Sequence, residues 1–137
     1  MVVIDSNIWI YLFSEQDKRK QAIVKEIIPS LSLKGIVISN QIFKEIGKVL
    51  SVDVKLPVED TLNILSNIQK LTVIKPETPL DIRLAVEIRE RFKFQFFDSI
   101  IVAFCLNNKI EFLITEDKFI DEIFYKNRKL TLINPFE

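Results

Sequence analysis

The chain opens with Met1-Val-Val-Ile-Asp-Ser-Asn7, in which the apolar run Val2–Ile4 ends at Asp5. Short continuous runs of Val and Ile are typical of strands buried in a parallel sheet. Similar runs predict four further strands at Ile36–Ile38, Thr72–Ile74, Phe112–Ile114 and Leu130–Ile133. Because helix-length segments lie between them, the chain alternates strands and helices, and this indicates an α/β sandwich around a mainly parallel sheet of about five strands.

The segments between the strands have apolar residues at helical spacing, every three to four positions. Asp17 is suited to the N-cap of one helix and Pro29 to its end, and Thr78-Pro79 is a typical helix start. The segment Phe97–Leu106 is apolar almost all round and is therefore expected to be the most buried helix. The predicted helices are one beginning near Asn7, then Lys18–Ile28, Gln41–Leu50, Thr61–Leu71, one that starts at Thr78-Pro79, Phe97–Leu106 and Lys118–Phe124.

Composition limits the function. The chain has 137 residues, of which 48% are apolar, and it is expected to form a single domain over residues 1–137. Lys and Arg number 19, as do Asp and Glu, so attraction to a nucleic acid has to come from a local basic surface. The complete absence of histidine excludes Ser-His-Asp and Cys-His catalysis and every imidazole metal site.

The remaining features are those of a soluble protein. The only cysteine, Cys105, lies in an apolar helical segment, where it is expected to be buried and cannot form an internal disulfide. No basic stretch precedes the first apolar run, as it would in a signal peptide, and no apolar segment reaches the roughly 20 residues of a membrane helix. We therefore expect a cytoplasmic protein that does not enter membranes.

Four acidic residues lie at the ends of apolar elements: Asp5, Glu45, Asp98 and Asp117. An ionised group taken out of water must be paired or must hold a metal ion. In parallel sheets, ligands bind at the carboxyl ends of the strands, and each of these side chains can reach that edge. Oxygen ligands without His or Cys suit Mg²⁺ or Mn²⁺. The pattern therefore predicts one divalent-metal site.

Taken singly, each of these carboxylates also has an ordinary structural explanation. The alternatives are helix caps for Asp5 and Asp117, a solvated helix face for Glu45 beside Lys44, and a buried pair with Arg91 or Lys93 for Asp98. Only the joint placement of all four residues favours a shared site.

Four blocks of the sequence resemble the characteristic blocks of PIN-domain nucleases, in the same order and with suitable intervals. They are VIDSN near the start, SNQIFKEI after the second strand, FFDSIIVA on a late helix and LITEDKF after the fourth strand. The resemblance covers essentially the whole chain and is greatest to the VapC-type toxins of prokaryotic toxin–antitoxin pairs. It implies a PIN-like three-layer sandwich and a divalent-metal-dependent endoribonuclease.

The resemblance also assigns residues to roles. Asp5, Glu45, Asp98 and Asp117 match the acidic metal-binding and catalytic quartet of the family, because the T-x-D spacing of the last block favours Asp117 over Glu116. Bulky Phe96 and Phe97 before Asp98, and bulky Phe104 after it, are a departure that puts substrate preference in doubt more than chemistry. The accompanying polar positions are matched by Ser6, Asn7 and Thr115, and the candidate RNA contacts are Lys44, Arg91, Lys93 and Lys118.

Partners follow from the resemblance alone: RNA as substrate, a second copy in a homodimer, and a small antitoxin protein. Two nuclease roles remain open, a toxin and an RNA-processing enzyme. A PIN fold that binds RNA or protein without catalysis is a further alternative, although a scaffold gains nothing from four mutually repelling carboxylates. A phosphorylatable signalling receiver would need a second acid beside Asp5 and an acceptor Asp after a middle strand, and neither is present.

Overall fold

Six strands form one sheet with the order β3-β2-β1-β4-β6-β5, in a computed structural model that describes all 137 residues. All neighbouring strands are parallel except β5 and β6. The strands are β1 (Val2–Ile4), β2 (Ile36–Ser39), β3 (Thr72–Lys75), β4 (Phe112–Ile114), β5 (Glu122–Tyr125) and β6 (Arg128–Ile133). The α-helices are α1 (Ser6–Phe13), α2 (Lys18–Lys34), α3 (Asn40–Lys48), α4 (Val58–Leu71), α5 (Pro79–Phe92) and α6 (Phe96–Asn107), and a short π-helix, Val49–Asp53, follows α3. This confirms the predicted α/β class and its mainly parallel sheet.

The central position of β1 determines where the polar residues after the strands meet. Val3 lies in register with Val37 of β2 on one side and Leu113 of β4 on the other. All residues of β1 are fully buried, which explains why this strand is a continuous apolar run. Asp5 directly follows β1 and Thr115 directly follows β4, so both lie at the carboxyl edge of the sheet.

Two sequence predictions about local structure are wrong. Lys118–Phe124 is not a helix, because Glu122–Tyr125 forms the antiparallel strand β5 and makes the sheet six-stranded instead of five-stranded. A two-residue turn with φ of 49° at Lys126 and 62° at Asn127 connects β5 to β6, and its Lys-Asn sequence lacks the usual glycine signal. Pro29 does not end α2, which continues to Lys34 and stops before Gly35, where φ is +87°.

The core consists of one hydrophobic cluster on the sheet, and α6 contributes more buried apolar residues to it than any other helix. Val102 to Leu106 are all buried in α6, as the apolar composition of this helix predicts, and α5 packs along it. Asp81 in the first turn of α5 is buried but satisfied, since it accepts hydrogen bonds from the Thr78 backbone and from Asn107. No helix combines the length and the apolar character that crossing a membrane would require.

Candidate active site

A cleft of about 470 Å³ opens at the carboxyl edge of the sheet, and all four predicted acidic residues line it. We call it the carboxylate cleft and define it by Asp5, Glu45, Asp98 and Asp117. Ser6 and Asn7, which the resemblance placed beside the quartet, also line this cleft, whereas Thr115 is buried at its base. The structure thus brings together side chains that are up to 112 positions apart (117 − 5) in the chain.

Asp5 is at the centre of this arrangement. One carboxylate oxygen, Oδ1, accepts a hydrogen bond of 2.8 Å from the Ser6 backbone N–H and caps α1. The other, Oδ2, accepts a hydrogen bond of 2.9 Å from the Thr115 hydroxyl. Burial raises the pKa of Asp5, and the negative charges of Glu45 and Asp117 raise it further, against these hydrogen bonds. Asp5 is therefore both a helix cap and a carboxylate whose charge is poorly compensated.

Glu45 projects from α3 into the cleft instead of lying on a solvated helix face. Its Oε2 accepts a hydrogen bond of 2.6 Å from the Ser6 hydroxyl, and its Oε1 accepts one of 3.1 Å from the Gln41 side-chain amide. Gln41 precedes Glu45 by one helical turn, so these side chains lie on the same face. Ser6 thereby connects the end of β1 to α3 and orients the second acid of the cleft.

Asp98 lies in the first turn of α6, where the helix dipole favours an anion. Its carboxylate has no hydrogen-bond or salt-bridge partner within the chain, so the alternative of a buried pair with Arg91 or Lys93 does not occur. Lys93 ends α5 in a left-handed conformation and pairs with Glu90 at 3.3 Å. Burial raises the pKa of Asp98, and the charge of Asp117 adds to the increase. An uncompensated carboxylate at this position is suited to an external cation.

Asp117 reaches the cleft while its neighbour Glu116 turns away. The Asp117 backbone N–H donates to the Thr115 hydroxyl at 3.2 Å, and the Asn7 side-chain amide donates to Asp117 Oδ2 at 3.2 Å. Asn7 also holds the preceding residue, because its Oδ1 accepts a hydrogen bond of 3.5 Å from the Glu116 backbone. The structure therefore selects Asp117 over Glu116 as the acid of the cleft, as the T-x-D spacing suggested.

Glu116 instead belongs to a separate group of side chains, Tyr11, Lys20, Glu116 and Phe136, which we call the Glu116 cluster. The Tyr11 hydroxyl donates to Glu116 at 2.7 Å, and the Lys20 ammonium forms a salt bridge with the same carboxylate. Burial alone would raise the pKa of Glu116, but the hydrogen bonds from Lys20 and Tyr11 and the positive charge of Lys20 bring it below its usual value. The Lys20 ammonium also lies 5.2 Å from the centre of the Phe136 ring.

The lining residues that the sequence analysis did not assign to the site include Gln41, Glu77 and Phe97. Glu77 accepts a hydrogen bond of 3.1 Å from the Gln41 backbone N–H and so stabilises the start of α3. The spacing of Gln41 and Glu45 by one helical turn is visible in the sequence and indicates that their side chains lie on the same helix face. Glu77 follows β3 in a loop, and no local pattern indicates that it lies opposite α3.

The four cations proposed as RNA contacts lie outside the residues that line the cleft. Lys44 and Arg91 are exposed on α3 and α5, whereas Lys93 is paired with Glu90. Lys118 forms salt bridges of 3.0 Å with Asp121 and with Glu137. Their contact with RNA stays a prediction, and for Lys93 and Lys118 it would require exchanging a protein carboxylate for a phosphate.

The donor set of the cleft fits a hard divalent cation, because it consists of carboxylates, hydroxyls and side-chain amides without an imidazole or a thiolate. No three acidic side chains are gathered closely enough to enclose an ion as they stand. Glu45 and Asp117 each accept hydrogen bonds from neutral polar partners and form no salt bridge within the chain. Asp5, Glu45, Asp98 and Asp117 are the residues that would hold the ion.

The comparisons with known proteins agree with this architecture. The family model described as PIN domain matches residues 2–123, and the chain belongs to the PIN domain family. PIN nucleases generally use divalent metal ions. No curated protein sequence matches the chain at a significant level.

Solved structures resemble the chain over most of its length. FitAcB from Neisseria gonorrhoeae is 18% identical, with a TM-score of 0.73 and 99% of each chain covered. A toxin–antitoxin complex from Klebsiella pneumoniae is 20% identical, with a TM-score of 0.69, covering 100% of this chain and 99% of the other. VapC20 from Mycobacterium tuberculosis, a toxin that cleaves the sarcin–ricin loop, is 16% identical with a TM-score of 0.65, covering 82% of this chain and 87% of the other. The chain therefore has the fold seen in VapC-type toxins.

Proposed function

We propose that the protein is a divalent-metal-dependent endoribonuclease that hydrolyses phosphodiester bonds in RNA. The observation that supports this most is the carboxylate cleft, in which four acidic side chains from four parts of a PIN domain line one opening. Four mutually repelling carboxylates destabilise a scaffold unless they bind a cation. Unpaired RNA fits the open cleft better than a duplex, because only unpaired nucleotides can turn their bases outward.

The residues of the cleft have distinct tasks in this proposal. Asp5 and Asp98 would make the central contacts to Mg²⁺ or Mn²⁺, and Glu45 and Asp117 would complete the set. A bound divalent ion polarises a phosphate oxygen and lowers the pKa of water. Ser6, Thr115 and Asn7 hold the carboxylates in place through their hydrogen bonds. The residues that would bind the metal ion are thus different from those that orient the carboxylates, and substitutions can distinguish the two roles.

We further propose that this ribonuclease is the toxin of a toxin–antitoxin pair that acts in the cytoplasm. Support comes from the fold shared with VapC20 from Mycobacterium tuberculosis and with the toxin–antitoxin complex from Klebsiella pneumoniae. The expected partners are RNA, a second copy of the chain and a small antitoxin. A neighbouring short open reading frame would support this role over that of an RNA-processing nuclease.

Cleavage of a mixed-sequence, 5′-labelled RNA tests the activity. We expect cleavage with Mg²⁺ or Mn²⁺, none with EDTA, and a loss of at least about a hundredfold in Asp5→Asn and Asp98→Asn proteins, since even residues behind a metal ligand typically contribute tenfold or more. Asp60→Asn is the matched control for Asp98→Asn, because Asp60 also lies in the first turn of a helix but outside the cleft. Activity that survives both cleft substitutions, or that is absent from every preparation, would contradict the proposal.

A further inference from the structure

The wall of the carboxylate cleft contains an aromatic ring that the fold leaves in solvent. Phe97, in the first turn of α6, lines the cleft with 74% of its surface exposed. Phe104, the other aromatic residue of the lining, is fully buried. Burying a Phe side chain contributes roughly 1.5–3 kcal/mol, and Phe97 forgoes most of this gain in the folded chain. A ligand of the cleft can recover it.

Phe97 lies beside a second aromatic ring and shares the cleft lining with an aliphatic residue. The Phe96 ring contacts it with their centres 6.0 Å apart and their planes 68° apart, an edge-to-face geometry. Ile82, at the start of α5, lines the same cleft and is 39% exposed. The position of Phe97 on a helix directly before Asp98 links the ring to the acidic part of the cleft. The lining of the cleft therefore combines carboxylates with an exposed aromatic ring.

A ligand that satisfies both features of the lining contains an anion, for a cation bound by the carboxylates, and a flat apolar group that packs on the ring. The other aromatic residues near Asp5 do not provide such a surface. Trp9 is fully buried and donates its indole N–H to the Ile4 carbonyl at 3.1 Å, and Tyr11 is held by Glu116. Among the aromatic residues of the cleft, only Phe97 presents an open ring face.

We propose that Phe97 is a stacking platform for one unpaired base of the RNA, adjacent to the phosphate that the carboxylate cleft holds. This inference rests on the proposed ribonuclease function and adds a specificity element to the same cleft. Stacking between a base and an aromatic side chain contributes about 1–3 kcal/mol per base and tolerates every base. Purines offer the larger face, so a purine at this position is favoured over a pyrimidine.

The test measures cleavage of short single-stranded oligoadenylate and oligouridylate with Mg²⁺ by the native protein and by Phe97→Ala, Phe97→Leu and Phe97→Tyr. We expect KM to rise by roughly tenfold in the Ala and Leu proteins, with kcat less affected, and to be largely restored in the Tyr protein. Leu33→Ala is the matched control, since Leu33 is a 91% exposed apolar residue of α2 that does not line the cleft. Melting curves show whether each variant is folded.

A second readout does not depend on cleavage. In Phe97→Trp combined with Asp5→Asn, a stacked base is expected to quench tryptophan fluorescence on titration with oligoadenylate, whereas Asp5→Asn alone, which retains only the buried Trp9, shows a small change. Equal KM values for the native, Ala and Leu proteins would overturn the inference while leaving the ribonuclease proposal standing. A KM in Phe97→Leu as low as that in Phe97→Tyr would overturn stacking. A change of oligomeric state in Phe97→Ala with unchanged KM would assign the ring to a protein contact. Absence of cleavage and of binding in the native protein would overturn both proposals together.

Discussion

Glu116 and Asp117 are neighbours in the chain, yet they lie in regions of opposite character. In the Glu116 cluster, a carboxylate receives a hydrogen bond from Tyr11 and a salt bridge from Lys20, so its charge is compensated within the protein. In the carboxylate cleft, Asp117 receives one bond from the neutral Asn7 amide, and Asp98 receives none from any side chain. An acid paired with a cation of its own chain therefore stabilises the fold, whereas uncompensated acids in an open cleft are available to a ligand.

The largest effect should come from exchanging the two neighbours for their neutral equivalents. Asp117→Asn is expected to reduce RNA cleavage at least about a hundredfold, because it removes a proposed metal ligand, and to leave the melting temperature nearly unchanged. Glu116→Gln should retain cleavage within about tenfold and lower the melting temperature by roughly 3–6 °C, because Lys20 and Tyr11 lose their charged partner. Cleavage assays and melting curves of both proteins measure this, and the reverse pattern would refute the division between the two regions.

A smaller effect is expected at the residue that touches both regions. Asn7 donates to Asp117 and accepts from the Glu116 backbone, so Asn7→Ala should leave the acid present but poorly oriented. Loss of such an orienting contact typically reduces activity by roughly tenfold. The rate of RNA cleavage measures it, with Asn63→Ala on the exposed side of α4 as the control. A rate equal to that of the native protein would show that Asp117 needs no support from Asn7.

Metal binding should distinguish the two regions without RNA. Saturating Mn²⁺ or Mg²⁺ is expected to raise the melting temperature by roughly 5 °C, since an ion that binds only the folded state stabilises it by mass action. Asp98→Asn should reduce this shift, whereas Glu116→Gln should keep it. Thermal denaturation with and without EDTA is the measurement. An unchanged shift in Asp98→Asn would count against Asp98 as a ligand.

The smallest expected effect is that the contributions of Asp98 and Glu116 to stability change with pH in opposite directions. Burial raises the pKa of Asp98 above its ordinary value of 3.8, so the folded state binds this proton more tightly, and its contribution to stability falls as the pH rises from about 4. The pKa of Glu116 is below its ordinary value of 4.5, so its contribution is complete above that pH and is lost as the pH falls through the lowered value. The contribution of Glu116 to stability is thus largest in the pH range where the contribution of Asp98 is smallest.

Melting curves in EDTA between pH 4 and 7 measure this difference. The melting temperature of the native protein minus that of Asp98→Asn should decrease by a degree or two as the pH rises, as expected for a modest change in protonation free energy. The same difference for Glu116→Gln should increase. Parallel pH profiles for the two variants would mean that the cleft and the cluster do not differ in charge compensation.

The adjacent inner strands β2, β1 and β4 were predictable from the sequence because a strand buried on both faces leaves no freedom for polar residues. Val2–Ile4 and Phe112–Ile114 are found with the predicted bounds for this reason. The strand Glu122–Tyr125 was not predictable, because only Ile123 of its four residues is buried and its exposed edge places no demand on the other three. Pro29 is misleading as a stop signal, because the turns of α2 on either side of it pack on the core through Ile28 and Leu31.

Part of the candidate site was also predictable from the sequence. The acidic residue types, their order and the lack of histidine are enough to limit the chemistry to oxygen ligands. The identity of the fourth acid rested on the T-x-D spacing alone, because Glu116 and Asp117 have the same charge in the same loop. Their different surroundings depend on Lys20, which is 96 positions from Glu116, and local periodicity contains no information about such a contact.

The amino-acid sequence alone therefore determined the α/β class, the apolar strands and the four carboxylates that end apolar elements, since each depends on burial and on spacing within a few residues. Tertiary structure decided which carboxylates remain uncompensated, that Ser6 orients Glu45, and that the Phe97 ring lies open in the cleft. These properties arise from contacts between distant segments, and such contacts form only when the sheet brings the ends of its strands to one edge.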